Sequence, residues 1–392
     1  MNKNFEDYKK FRELPENKKH IFCYSPYTGL DVDQQGRVTA CCYSRNFELG
    51  RYPEESLLEI WNGAQIKLKR EKMNSIPHGV GCDQCIKYIE ERNFSSVMVD
   101  KFDFLVNDKK LKTINMGTGT ANADITKSNY ILPRYLGLHL SNLCNLECIM
   151  CGGRWSSLIR KNREKLPPLP YLFDKKFFDE IKGFLPFLFK IDFLGGEPFL
   201  LQDYYKLWDE IIEKKYTCLV SITTNGTVMN EKVEKVLTQI KNLSLVISCD
   251  SLIPENYEKI RLNSKFINLS KNLEKIKTIQ NIRKENKLDT AITFAVCPMP
   301  INYKDITGII DYCNENLFFV CFNTVNGPLE TINNNFKDLT FREKDIEFLK
   351  EVNSYYKGYL EQIKNTSIPK NYTELVSLNS FIETLIQQKN SN

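Results

Sequence analysis

The chain has 392 residues, 42% of them hydrophobic and 12% aromatic, which suits a folded globular protein of one large or two smaller domains. Its net charge of +5 comes from 54 basic and 49 acidic residues, an excess too slight to argue for nucleic acid as a partner. The first twenty residues are charged and lack the apolar centre of a secretory leader. The most apolar stretch, Phe184 to Leu201, is broken by Lys190, Asp192 and Glu197, so no membrane insertion is expected and the cytoplasm is the expected compartment.

Residues 1–19 read as a polar arm. Residues 20–112 hold Cys23, Cys41, Cys42, Cys82 and Cys85, five of the thirteen cysteines. Thiols stay reduced in the cytosol, so metal binding explains clustered cysteines better than disulfides do. Cys23 is followed after twelve residues by Gly36 and after four more by Cys41, and Cys82-x2-Cys85 closes the set. Four thiolates in two pairs suit zinc or a fully ligated iron–sulfur cluster, and spacing alone does not choose. Cys41 and Cys42 are adjacent, so either is a candidate ligand. The Gly-x4-Cys spacing picks Cys41 and leaves Cys42 as a spare or a core residue.

Residues 113–129 are small, polar and aperiodic, and read as a linker. From 130 to 330 the pattern alternates. Short β-rich runs predict strands at 134–141, 190–194, 217–223, 243–249, 290–296 and 318–323. Amphipathic stretches between them predict helices at 203–214, 230–241, 269–282 and 303–313. Strand–helix repetition argues an α/β fold with a parallel sheet and right-handed crossovers. About six units fit a partial, open (β/α)6 barrel better than eight-fold closure. Residues 331–392 predict a charged helical extension, with helix over 343–349 and 372–385, that packs on the barrel or covers its open side.

Ligand chemistry in such folds gathers at the C-terminal strand ends. After the first barrel strand comes Cys144-x3-Cys148-x2-Cys151. Three thiolates on one loop can hold three irons of a cubane and leave the fourth open, where an amine and a carboxylate can chelate. The second strand ends in Gly195-Gly196-Glu197-Pro198, the third in Thr223-Thr224-Asn225-Gly226 and the fourth in Ser248-Cys249-Asp250-Ser251. Beyond it lies Tyr257-x3-Arg261. Leu136, Leu138 and Leu140 share one face of the first strand, which puts Gly137 and His139 on the other. His139 is read there as a core histidine. Cys218, Cys249, Cys297, Cys313 and Cys321 sit singly in or beside apolar runs, and most read as small buried hydrophobes.

The Cys144, Cys148, Cys151 triplet resembles the signature of the radical S-adenosylmethionine (SAM) superfamily. The resemblance implies a SAM-binding 4Fe-4S cluster on those three cysteines. It implies cofactor binding by Met150 beside the adenine, by Gly195, Gly196 and Glu197 at the amino group, and by Asn225, Ser248, Asp250 and Arg261. It also implies reductive cleavage of SAM and hydrogen abstraction by the 5′-deoxyadenosyl radical, with a flavodoxin or ferredoxin-type electron donor. The N-terminal cysteines, with Glu48-Leu-Gly50 and the run Ser56 to Asn62, resemble SPASM and twitch accessory domains. That implies an auxiliary 4Fe-4S cluster on Cys23, Cys41, Cys82 and Cys85 as electron relay, although in most relatives the accessory domain follows the barrel. Such relatives act on peptides or small molecules, so the expected substrate is a peptide or a small molecule, with a sugar- or aminocyclitol-type dehydrogenase as the alternative. A non-catalytic zinc protein is the remote alternative; it leaves the order of the barrel motifs unexplained.

Overall fold

The computed structural model describes residues 3–44, 46–75, 80–103, 106, 132–325, 339–366 and 368–391. The expected linker, 113–129, lies outside them. The described strands form one nine-stranded sheet. They are β1 (Gly29–Val32), β2 (Arg37–Thr39), β3 (Gly50–Arg51), β4 (Tyr135–Leu138), β5 (Lys190–Phe193), β6 (Leu219–Thr224), β7 (Asn242–Ser248), β8 (Asp289–Val296) and β9 (Phe319–Phe322). Their order is β3-β2-β1-β4-β5-β6-β7-β8-β9. Strands β4 to β9 run parallel with helices Gln202–Glu213, Glu231–Gln239, Phe266–Glu285 and Asp305–Glu315 among the crossovers. This is the expected partial barrel, and the six predicted strands are its six strands, with shifted ends.

The period-two reading of the first barrel strand decides which side is which. Leu136, Leu138 and Leu140 enter the large apolar core shared with Phe177, Leu207 and Trp208. The opposite face is polar. There the Tyr135 hydroxyl donates to Asp192 at 3.1 Å, Lys101 Nζ lies 2.5 Å from Asp192 and Lys190 Nζ 3.2 Å from it. Burial alone would raise the Asp192 carboxyl, but Lys101 and Lys190 hold it down at about 2. Lys101 comes from the helix Val99–Asp103 of the N-terminal region, so that region reaches inside the barrel.

Its contacts go further. β1 pairs in parallel with β4, Gly29 opposite Tyr135 and Val32 opposite Leu138, and the His139 amide donates to the Val32 carbonyl. The turn Phe94–Ser96 lies at the far edge, where Asn93 Nδ2 donates to Thr324 Oγ1 and Ser96 Oγ to the Phe322 carbonyl. One N-terminal segment therefore touches the first and the last barrel strand. The C-terminal helices, Ile346–Ile363 and Pro369–Asn390, pack on each other, and the second packs against β9. Asn371 accepts the Val320 amide and donates to the Phe318 carbonyl, which blunts an otherwise open sheet edge. No described helix is long and apolar enough to cross a membrane.

Candidate functional site

The C-terminal ends of β4 to β9 surround a cavity of about 420 Å³. Cys144, Cys148, Met150 and Cys151 line it from the loop after β4. That loop is tied down from several sides. The amides of Glu147 and Ile149 donate to the carbonyls of Leu262 and Ile260. Arg163 Nη2 donates to the carbonyls of Cys148 and Cys151, each at 3.2 Å. Asn225 Nδ2 stands 4.0 Å from Cys144 Sγ and Arg261 Nη1 3.9 Å from Cys148 Sγ. Burial pushes the Cys144 thiol up to about 11. Burial, then the neighbouring Cys148 and Cys144, pushes Cys151 up to about 12. Three crowded thiols, one buried and two half-buried, are poor nucleophiles while protonated, and bound iron is what would make them thiolates together.

Gly195 and Gly196 also line the cavity. Gly195 has φ +118, and a Cβ on Gly196 would lie 2.1 Å from the Leu143 carbonyl oxygen. The backbone can close on the cysteine loop only without side chains here, which leaves a cradle for a ligand. Glu197 does not line this cavity. It is 1% exposed, and its carboxylate accepts from Thr224 Oγ1 at 2.8 Å and from the amides of Asn225 and Phe199 at 2.7 and 3.2 Å. Its observed work is to fasten the end of β5 to the end of β6. Burial lifts its carboxyl to about 7 despite those donors.

Asn225, Ser248, Asp250 and Arg261 complete the wall. Asp250 is 0% exposed, accepts the Cys297 amide at 2.7 Å and lies 2.7 Å from Arg261 Nη2. Arg261 thus joins the cofactor wall, through Asp250, to the Cys148 sulfur. The donor set fits the implied groups: three thiols on one loop, a glycine cradle, and a buried guanidinium whose Nε has no hydrogen-bond partner.

Several lining residues lie outside the predicted set. His139 faces the cavity, as its strand face allowed, with Nε2 3.3 Å from Asp31 Oδ2 and its ring 5.4 Å from Trp155. Asp31 comes from β1, and a Cβ on Gly137 would sit 2.2 Å from its Oδ2. Tyr43, Asn323 and Cys297 also line the cavity. Cys297 therefore departs from the buried-hydrophobe reading, while Cys218, Cys249 and Cys313 are buried in the core and Cys321 is half-buried.

The N-terminal cysteines form a second group. Cys23, Cys41, Cys82 and Cys85 are all buried in one apolar cluster with Tyr24, Ile89 and Phe102. Burial, then Cys23 and Cys82, pushes Cys41 up to about 12, and burial followed by Cys41 and Cys23 raises Cys85. Cys23, Cys41 and Cys85 each feel the others of the group, so the four thiols lie near one another. Cys42 turns the other way and lines the cavity. Among the described residues no three His, Cys, Asp or Glu side chains close round a single metal ion. In a cubane each thiolate takes a different iron, whereas zinc gathers its ligands at about 2.3 Å from one centre.

Comparison with known proteins agrees with this division. The model of the radical SAM superfamily matches residues 138–313, and that of SPASM, an iron–sulfur cluster-binding domain, matches residues 23–86. A probable GTP 3',8-cyclase of Methanococcus maripaludis (strain C5) is 26% identical over 197 residues, 46% of this chain and 55% of that protein. The GTP 3',8-cyclase of Aliarcobacter butzleri is 26% identical over 246 residues, 62% of this chain and 69% of that one. The chain thus spans about half the length of the methanococcal relative. Among solved structures, Streptococcus suis SuiB bound to precursor peptide SuiA is 18% identical, with TM-score 0.41 over 65% of this chain and 49% of that one. Native anSMEcpe with bound AdoMet is 19% identical, with TM-score 0.44 over 60% and 63%.

Proposed function

We propose a hydrogen-abstracting reaction for this chain, which is a radical SAM enzyme with an N-terminal SPASM iron–sulfur domain. The observation that carries the reading is the convergence of Cys144, Cys148 and Cys151 with the Gly195–Gly196 cradle and Arg261 on one cavity. When bound, the cluster supplies the electron that cleaves SAM, and the 5′-deoxyadenosyl radical so formed takes a hydrogen atom from the substrate.

The chain's own residues do the rest. Cys144, Cys148 and Cys151 would hold the cluster and leave one iron for the amine and carboxylate of SAM. Gly195 and Gly196 let the backbone approach the amino group. Arg261, kept in place by Asp250, is suited to the planar carboxylate. Met150 would wall the adenine, with Asn225 and Ser248 at the polar edges. Glu197 supports this cradle from behind. Cys23, Cys41, Cys82 and Cys85 would hold the auxiliary cluster, with no position left for substrate.

The substrate is a peptide or a small molecule. One observation favours dehydrogenation of a small alcohol or amine: His139, with Asp31 behind it, faces the cavity. Oxidation of a carbon bearing O–H or N–H releases a proton, and a carboxylate-held imidazole can receive it.

Iron per chain after anaerobic reconstitution tests the reading. About eight irons in the wild type are expected to fall to about four in the Cys144/Cys148/Cys151 triple alanine variant. 5′-Deoxyadenosine formation from SAM and dithionite should vanish with them. Retained deoxyadenosine formation would sink the assignment.

A further inference from the structure

Lys69 lies in the helix Ala64–Ser75, and unlike Lys67, which is exposed, and Lys72, which is half-buried, it points inward and is 1% exposed. Its Nζ donates to Ser44 Oγ and to the Val80 carbonyl, both at 2.5 Å, and rests 4.9 Å from the Phe47 ring centroid. The Cys82 thiol points at the same Val80 carbonyl, 3.7 Å away. An ammonium and a candidate cluster ligand thus converge on one backbone oxygen. Among the described residues no carboxylate lies within ion-pair distance of Lys69. A buried ammonium held only by neutral acceptors is unfavourable, unless an anion nearby offsets it.

The other cations round the two cysteine groups are differently placed. Arg12, beside Cys23, makes two bonds to Asp103 at 2.6 and 2.7 Å. Lys101 is paired with Asp192 and Arg261 with Asp250. Arg163, beside Cys148 and Cys151, has Glu147 at 4.0 Å. The three arginines are each close to neutral with their carboxylate, while Lys101 shares Asp192 with Lys190. Lys69 has no carboxylate partner of its own and opposes the rise in the Cys82 thiol that burial and the neighbouring Asp83 cause.

We infer that Lys69 is the positioning residue that tunes the N-terminal cluster to accept an electron. Four thiolates round a cubane form a net anion that becomes more negative on reduction, and a fixed buried cation favours the reduced form. At Cys144, Cys148 and Cys151 the nearby guanidiniums of Arg261 and Arg163 have Asp250 and Glu147 beside them, which weakens the same bias there. An electron therefore runs from the cavity to the N-terminal cluster. After hydrogen abstraction the substrate radical gives one electron to that cluster and one proton from its neighbouring O–H or N–H to His139 or solvent, and a C=O or C=N bond forms. The inference rests on the reading of Cys23, Cys41, Cys82 and Cys85 as iron–sulfur ligands.

The test is a redox titration of the reconstituted protein followed by electron paramagnetic resonance, in wild type, Lys69→Met and Lys69→Arg. The N-terminal cluster's midpoint is expected to shift to lower potential in Lys69→Met and to return in Lys69→Arg, with the other cluster's midpoint unmoved. Lys69→Gln, which keeps a hydrogen-bond donor without the charge, should show the same fall and decides the matter if Lys69→Met loses its iron. An unchanged midpoint in the neutral variants would overturn the role of Lys69. A wild type with only about four irons and one cluster signal would overturn the iron–sulfur reading itself, and the two failures are told apart by the iron count.

Discussion

Cys41 and Cys42 are neighbours in the chain and serve different compartments: Cys41 is buried with Cys23, Cys82 and Cys85, and Cys42 lines the cavity at the strand ends. A single peptide bond thus separates a candidate cluster ligand from a residue of the cavity wall.

Cys41→Ala should therefore lose the N-terminal cluster, about half of the iron, while Cys42→Ala keeps all of it. Iron analysis of the two variants side by side reads the difference. Full iron in Cys41→Ala with loss in Cys42→Ala would reverse the assignment.

Glu197 predicts a pH dependence. Burial raises its folded carboxyl to about 7, above the usual carboxylate range that applies when the chain is unfolded. Between those values the folded chain holds the proton and the unfolded chain does not, so stability falls as pH rises through that window. The full effect is about 3–4 kcal/mol, on a scale of about 1.4 kcal/mol per unit. Glu197→Gln abolishes this slope, so its stability relative to wild type should improve from pH 5 to pH 8 in urea unfolding of the metal-free chain. Parallel profiles would show that Glu197 does not titrate there.

Gly137 faces Asp31 across the β1–β4 pair, and an added Cβ would lie 2.2 Å from Asp31 Oδ2 and 2.6 Å from the Tyr135 hydroxyl. Gly137→Ala should cost about 1–3 kcal/mol, as overpacking does. Asp31→Ala in the same chain should recover part of that loss, because the two residues share one space. Thermal unfolding of the single and double variants tests it, and strict additivity would contradict the contact.

The barrel was legible because its strands are apolar runs separated by amphipathic helices, and the alternation at Leu136, Leu138 and Leu140 put His139 on the opposite face, although its reading as a core histidine missed that it lines the cavity. The three-cysteine loop was legible because its residues are adjacent in the chain. What the sequence hid were partners far apart in it. Asp31 reaches His139 across 108 residues, and nothing local marks either as half of a pair. Glu197 sits in a recognisable motif, but its contacts with Thr224 and Asn225 depend on how β5 and β6 align. The joining of β1 to β4 was hidden for the same reason, since a parallel pair needs no turn between its members.

That pairing has a consequence for how the chain is made. Synthesis runs from the N-terminus, so the β1–β2 hairpin leaves the ribosome about a hundred residues before β4 does. Until Leu138 is available, one side of β1 has unpaired amides and carbonyls, the kind of edge on which chains aggregate. An iron–sulfur group assembled early on Cys23, Cys41, Cys82 and Cys85 would hold the hairpin in place through that interval. Iron supply during translation would then govern the yield of folded chain as well as the occupancy of the finished protein.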